Sequence, residues 1–216
     1  MAIDCRIVNA TSRRQLLDMA RRRAGPGSGS ALGVVKDGRS CCGSEVQLPD
    51  LGGIRFAIVG GLATARYMPE RMTLDTDILI AADDLAAVEK LLERGGCEKI
   101  GPLCAGGSTW RLPGGRTLDV LALRQGWVHE ALDSVGYDER GRPFIDLPFL
   151  VAMKLESGRL QDLADISRML GFADEGQLTR TRALVSRLRP QDSVDLESMI
   201  QLGKLEHEQA GGRGGR

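Results

Sequence analysis

No stretch of the sequence approaches the ~20 apolar residues of a membrane-spanning helix. The opening residues, MAIDCRIVNATSRR, hold no apolar core of signal-peptide length. An excess of charge of one sign is missing too: 29 Lys and Arg balance 29 Asp and Glu. No global field therefore draws the chain to nucleic acid or to an anionic membrane. The cysteines (Cys5, Cys41, Cys42, Cys97, Cys104) are odd in number and lack C-x-x-C spacing, and they accompany only two histidines, His129 and His207. That composition argues against a disulfide framework and a structural zinc site, and it suits a protein of the reducing cytoplasm.

What is present is enough for one domain with a real core and ragged ends: 216 residues, 42% of them apolar. The zero net charge conceals an imbalance. Residues 1–74 carry 11 basic and 6 acidic groups, residues 75–175 carry 11 and 18, and residues 176–216 carry 7 and 5. The carboxylate surplus lies in the middle of the chain.

Composition separates four zones. Residues 1–50 form an appendage, partly disordered, with a basic helical pattern at 11–23 and the breaker-rich AGPGSGSALG at 24–33. Residues 51–146 form the core zone. RFAIVGG reads as a strand closed by a glycine pair, LATARYM as a helix, and TLDTDILIAA (73–82) as a second strand buried on both faces. Asp83 or Asp84 caps a helix over LAAVEKLLERGG. CEKIGPL, STWRLP and RTLDVLAL then read as strands, the last two joined by the Pro113-Gly114-Gly115 turn. After Trp127 the pattern turns helical. Residues 147–210 hold LPFLVAMKLES and LQDLADISRML, two helices or one interrupted at Ser157-Gly158, the second ending at Gly171, followed by helices over 174–188 and 192–209. Residues 211–216 are a disordered tail. The order β-α-β-α-β-β-β, followed by helices, predicts an α+β or α/β-like domain.

Three features carry chemistry. Asp75 and Asp77, two apart on a strand, emerge side by side on one face. Carboxylates that close repel and raise one another's pKa unless a cation relieves them. Asp119 is a lone acid inside the apolar pattern TLDVLAL; taken alone, an edge position or a pair with Arg111 or Arg116 explains it. Gly60-Gly61, between a strand and a helix, lets backbone N–H groups point at an anion. Together these are what magnesium- or manganese-dependent phosphoryl or nucleotidyl transfer requires: a phosphate-binding turn, paired acids on the next strand, and a third acid on a later one. Such metals take oxygen ligands from carboxylates and substrate phosphates. Asp75 and Asp77 would bridge the metals, and Asp119 would complete the site as base toward an acceptor hydroxyl.

VGGLATARYMPERMTLDTDILI (59–80) resembles the signature of the DNA polymerase beta-like nucleotidyltransferase superfamily, and the string Arg71-x-Thr73-x-Asp75-x-Asp77 resembles its abortive-infection-type members, several of them toxins of toxin–antitoxin pairs. TLDVLAL matches the third-acid strand. FLVAMKLESGRLQDLADISRML (149–170) resembles the helical element with its lysine, arginine and two aspartates, here Lys154, Arg159, Asp162 and Asp165. The resemblance covers roughly residues 54–171. It implies a mixed-sheet core, catalytic Asp75, Asp77, Asp119 and Lys154, and nucleotide contacts from Gly60, Gly61, Arg71, Thr73, Lys154, Arg159 and Asp162. It also implies an NTP substrate, an RNA (tRNA 3′ end) or protein acceptor, and a cognate antitoxin partner. A lysine suits a triphosphate as a point charge and an arginine as a bidentate fork. On one continuous helix, Lys154 and Asp165 would share a face. Asp162 and Asp165 either orient Lys154 or Arg159 or cap the second helix.

Some residues depart from the family pattern. Thr76 stands between the acids where an apolar residue is usual, and Tyr67 and Met68 replace the glycine or histidine often found before Arg71. Trp110 and Trp127 suit either a base-stacking or a core role, and His129 suits a surface or helix-start position. Two other classes compete. A D-x-D glycosyltransferase would leave Gly60-Gly61 without a role. A catalytically degenerate nucleotide- or partner-binding module would not need all three acids.

Overall fold

The computed structural model describes residues 48–68 and 75–212, all within the unit Gly43–Arg216. The expected appendage falls outside the described residues up to position 47, as do Arg71 and Thr73. The apolar run before the glycine pair forms β1 (Ala57–Val59), and the helix α1 (Gly60–Tyr67) begins directly at the turn. The chain returns as β2 (Thr76–Ala81), followed by a 3-10 turn (Ala82–Asp84) and α2 (Leu85–Arg94). Next come β3 (Glu98–Pro102), β4 (Gly107–Arg111) and β5 (Thr117–Leu123), then α3 (Trp127–Asp133). β6 (Gly136–Tyr137) and β7 (Pro143–Phe144) precede α4 (Leu147–Ser157), α5 (Leu160–Phe172), α6 (Glu175–Leu188), a 3-10 turn (Pro190–Asp192) and α7 (Ser193–Gly212).

The architecture is α+β: one mixed seven-stranded sheet, ordered β3-β4-β5-β2-β1-β7-β6, followed by helices. β2 lies in the interior, antiparallel to β1 and parallel to β5. Its Ile78, Leu79 and Ile80 are fully buried, as a continuous apolar run on a central strand requires. β5 instead alternates, with Leu118, Val120 and Ala122 buried and Thr117, Asp119, Leu121 and Leu123 partly exposed. That alternation puts the odd-numbered side chains of β5 on the face where the site forms.

Several expectations change. β2 starts at Thr76, so Asp75 precedes the strand and is exposed. The stretch after Trp127 is not wholly helical, because the two-residue strands β6 and β7 extend the sheet beyond β1. No side chain caps α2, since Asp84 is in αR conformation and makes no cap hydrogen bond, whereas Asp83 lies 3.6 Å from Arg124. α7 starts at Ser193; Asp192 ends the preceding 3-10 turn and accepts from Arg189 Nε at 2.6 Å. α7 also takes in the first two residues of the expected tail.

The helix after Lys154 is broken: Gly158, at φ 62°, ends α4 in the left-handed region and its N–H donates to Lys154 O. Gly171, by contrast, does not end α5, which runs through it to Phe172. That glycine serves packing. A Cβ on Gly171 would lie 2.4 Å from Gly203 O, and one on Gly203 would lie 1.9 Å from Ser167 O. α5 and α7 therefore cross with their backbones almost touching. Outside the crossing, α6 is tied to α7 by the bidentate pair Arg182–Glu197 at 2.6 and 3.0 Å, and its start carries a full capping box between Asp174 and Gln177.

Gly203→Ala is expected to lower stability by about 1–3 kcal/mol, because a methyl group there has only backbone to displace. Gly114→Ala, with nothing within 4 Å of the new methyl, is expected to leave the melting temperature unchanged. Paired thermal melts of the two variants check both.

Candidate active site

The site is built where β1 ends. Val59 pairs with Asp77 across β1 and β2, and the chain then turns through Gly60 and Gly61 into α1. Gly60 has φ 61°, and a Cβ on it would lie 1.9 Å from Asp77 Oδ2 and 2.5 Å from its Cγ. The Asp77 carboxylate occupies the space that any side chain at position 60 would fill. The Gly61 N–H donates to the same carboxylate. The glycine turn therefore holds a protein carboxylate in this structure, beside the phosphate contact expected of it from the sequence. Thr64 Oγ1 closes the first turn of α1 by donating to Gly60 O at 2.8 Å.

Parallel pairing of β2 with β5 sets Asp77 beside Asp119. Arg111 reaches Glu98 at 2.7 Å, and Asp119 Oδ1 accepts from Thr109 Oγ1 at 2.7 Å. Asp77 is partly buried. Burial first, then the charge of Asp119, then more weakly that of Asp75, push its pKa from an ordinary 3.8 up to about 6, while the Gly61 N–H and the charge of Lys154 pull the other way. Asp75 stands just ahead of the strand, exposed. Among the described residues no group of three or more His, Cys, Asp or Glu is drawn together as a ready metal cluster. The structure thus brings two of the three predicted acids into register, with the third at the start of the strand.

Lys154 lies near enough for its charge to act on Asp77, but it is no free point charge. It is 7% exposed, and its Nζ donates to Asp162 Oδ1 and Asp165 Oδ2, both at 2.8 Å. The left-handed turn at Gly158 makes this possible by folding α5 back across the end of α4. The three residues meet across a turn, where a single helix face was one of the expected arrangements. Asp162 also accepts from Ser157 Oγ. It therefore orients Lys154, and neither it nor Asp165 caps α5, whose N-cap is Arg159 and has no side-chain cap bond. Arg159 itself is exposed beside this group.

The sequence reading missed Thr109 and Ser157. The first was within reach: a hairpin centred on Gly114 pairs positions that sum to 228, which sets Thr109 opposite Asp119, as observed. Nothing in the sequence marked Ser157. Trp110 is fully buried and donates to Ser108 Oγ at 2.9 Å, and Trp127 stacks on Phe149 with ring centres 6.0 Å apart. Trp110 therefore belongs to the core, and Trp127 is partly exposed. His129 is exposed.

No protein-family model matches the chain, and no curated protein does. Among solved structures, the chain is similar to the crystal structure of ANT(2″)-Ia in complex with adenylyl-2″-tobramycin, at TM-score 0.40 and 13% identity over 68% of this chain and 87% of that one. It is also similar to the solution structure of the antibiotic-resistance factor ANT(2″)-Ia, at TM-score 0.39 and 16% identity over 73% and 88%. No helix among the described residues is long and apolar enough to cross a membrane.

The raised pKa of Asp77 has a consequence for stability. Its folded value lies above its unfolded one, so the folded protein holds the extra proton between them and ionisation works against folding. Without divalent metal, the contribution of Asp77 to stability is expected to fall as pH rises from about 4 through about 6 and then to level off. Asp77→Asn, which cannot ionise, should melt higher than wild type at pH 7.5, with the gap closing toward pH 4. A melt series across pH checks this, and a gap independent of pH contradicts it.

Proposed function

We propose that this chain is a metal-dependent nucleotidyltransferase that moves a nucleoside monophosphate from an NTP to a hydroxyl acceptor. The observation that carries the proposal is the register pairing of Asp77 with Asp119 beside a glycine turn that fixes the Asp77 carboxylate. The donor set fits a hard divalent cation. It is all oxygen, it sits at adjacent strand positions, and Asp77 carries negative charge that its surroundings leave poorly compensated. Asp77 and Asp119, with Asp75 ahead of them, would hold Mg2+ or Mn2+, which when bound would neutralise charge on the triphosphate and lower the pKa of the acceptor oxygen.

The protein's own groups then have distinct tasks. Asp119 accepts the proton of the acceptor hydroxyl as that oxygen bonds to the α-phosphorus and the bond to the β-phosphate oxygen breaks, releasing pyrophosphate. Lys154, with two of its three N–H donors held by Asp162 and Asp165, directs the third at the triphosphate. Arg159 supplies a guanidinium fork to the same phosphates from the exposed side. On this reading Arg71 and Thr73 contribute from the segment before Asp75. The acceptor is a macromolecular hydroxyl, an RNA 3′ end such as that of a tRNA or a protein side chain. The basic surplus of residues 1–74 supports the RNA arm. The resemblance of the string ending in Asp75-x-Asp77 supports a cytoplasmic toxin held in check by a cognate antitoxin.

Incubation with each radiolabelled NTP, Mg2+ and total RNA, following label into RNA and protein, tests the proposal. Wild type is expected to incorporate label. Asp119→Asn is expected to lose roughly a hundred-fold or more, and Arg159→Ala to raise KM for the NTP with a smaller change in kcat. Arg159 is the informative cation, because it is exposed, whereas removing Lys154 breaks its buried ion pair with Asp165 and costs about 3–5 kcal/mol of stability. Full incorporation by Asp77→Asn and Asp119→Asn would overturn the assignment.

A further inference from the structure

Asp119 has a partner to which the chemistry above gives no task. Thr109 lies opposite it across the β4–β5 pair, and Thr109 Oγ1 donates to Asp119 Oδ1 at 2.7 Å. A carboxylate has two oxygens, and a donor fixed on one of them limits rotation about the bond that carries the group and leaves the other oxygen for incoming partners.

Thr109 is well placed to impose such a limit. β-branched side chains on strands are stiff at χ1. Its neighbours Ser108 and Trp110 point to the other face, where both are buried and belong to one network. Trp110 Nε1 donates to Ser108 Oγ, Ser108 Oγ donates to Glu89 Oε1 at 2.8 Å, and Lys99 Nζ donates to the same oxygen at 2.7 Å. The strand that carries the Thr109 hydroxyl is therefore pinned from behind, and its register with β5 is regular from Gly107 to Arg111. The donor belongs to a rigid ladder and does not depend on a loop.

We propose that Thr109 is a positioning residue. Its hydroxyl holds Asp119 Oδ1 and thereby sets the rotation at which the carboxylate presents Oδ2 to the site. The inference rests on the nucleotidyl-transfer reading of the site. A threonine that merely packed between strands would be replaced by valine without functional effect, because the two side chains have nearly the same shape and only the hydroxyl differs.

The test compares wild type, Thr109→Val and Thr109→Ser in three measurements: Mn2+ affinity by electron paramagnetic resonance, kcat and KM for the NTP, and the melting temperature. The valine variant is expected to fold, to bind Mn2+ about ten-fold more weakly and to lose about ten-fold in kcat with KM for the NTP unchanged. The serine variant, which keeps the donor, is expected to recover both to within about three-fold of wild type. A folded valine variant with wild-type Mn2+ affinity and kcat overturns the proposal while leaving the transfer reading intact. If valine fails to fold, Thr109→Ala carries the same expectation, and wild-type behaviour there overturns it equally. A wild type that binds Mn2+ but transfers no nucleotide overturns the transfer reading, and the Mn2+ comparison then decides Thr109 alone. A wild type that does neither overturns both.

Discussion

The contact between the Asp77 carboxylate and the bare backbone of Gly60 sets the terms for the rest of the site. A carboxylate that approaches a Cα so closely leaves no room for a side chain, and the Gly61 N–H donates to it. The strand pairing of β1 with β2 brings the two together, and the turn into α1 follows at once. This arrangement fixes the carboxylate but does not neutralise it. Asp119, placed alongside by the parallel pairing of β2 with β5, adds a second charge and pushes the Asp77 pKa up. The fold thus keeps a pair of acids in mutual conflict, a kind of strain that native structures retain where a ligand relieves it.

The helical half answers that conflict with a cation whose position is equally constrained. Lys154 is buried and held in place by two aspartates. Its location depends on the left-handed turn at Gly158, which folds α5 back, and α5 is in turn clamped to α7 through the Gly171–Gly203 crossing. A methyl group added far from the carboxylates therefore bears on where the lysine sits. Sheet and helices each supply charge that is fixed in position before any ligand arrives, which is the condition for electrostatic stabilisation of a transferring phosphoryl group.

Much of this was legible in the sequence. The strand, glycine turn and helix at 55–68, the acid pair before ILI and the lone acid in TLDVLAL needed only pattern and the cost of burying carboxylates. The grouping of Asp119 with the acid pair was legible from the chemistry, but its direct register with Asp77 was not, because parallel pairing leaves no local mark. β6 and β7 are two residues each and too short for periodicity to register. Gly171 read as a helix stop because glycine usually is one; only the backbone of α7 explains its presence inside α5. The contacts of Asp162 with Lys154 and Ser157 depend on a turn whose direction the sequence did not reveal. Arg71 and Thr73 lie outside the described residues, so their part in the site stays with the proposal.

The central claim is that Asp77 and Asp119 form one metal-binding pair facing a nucleotide. A crystal structure with Mg2+ and a non-hydrolysable NTP tests it most directly. A metal is expected about 2.0–2.1 Å from a carboxylate oxygen of each aspartate, with the triphosphate running toward Lys154 and Arg159. A nucleotide bound elsewhere, with Asp77 and Asp119 free of metal at saturating Mg2+, would contradict it.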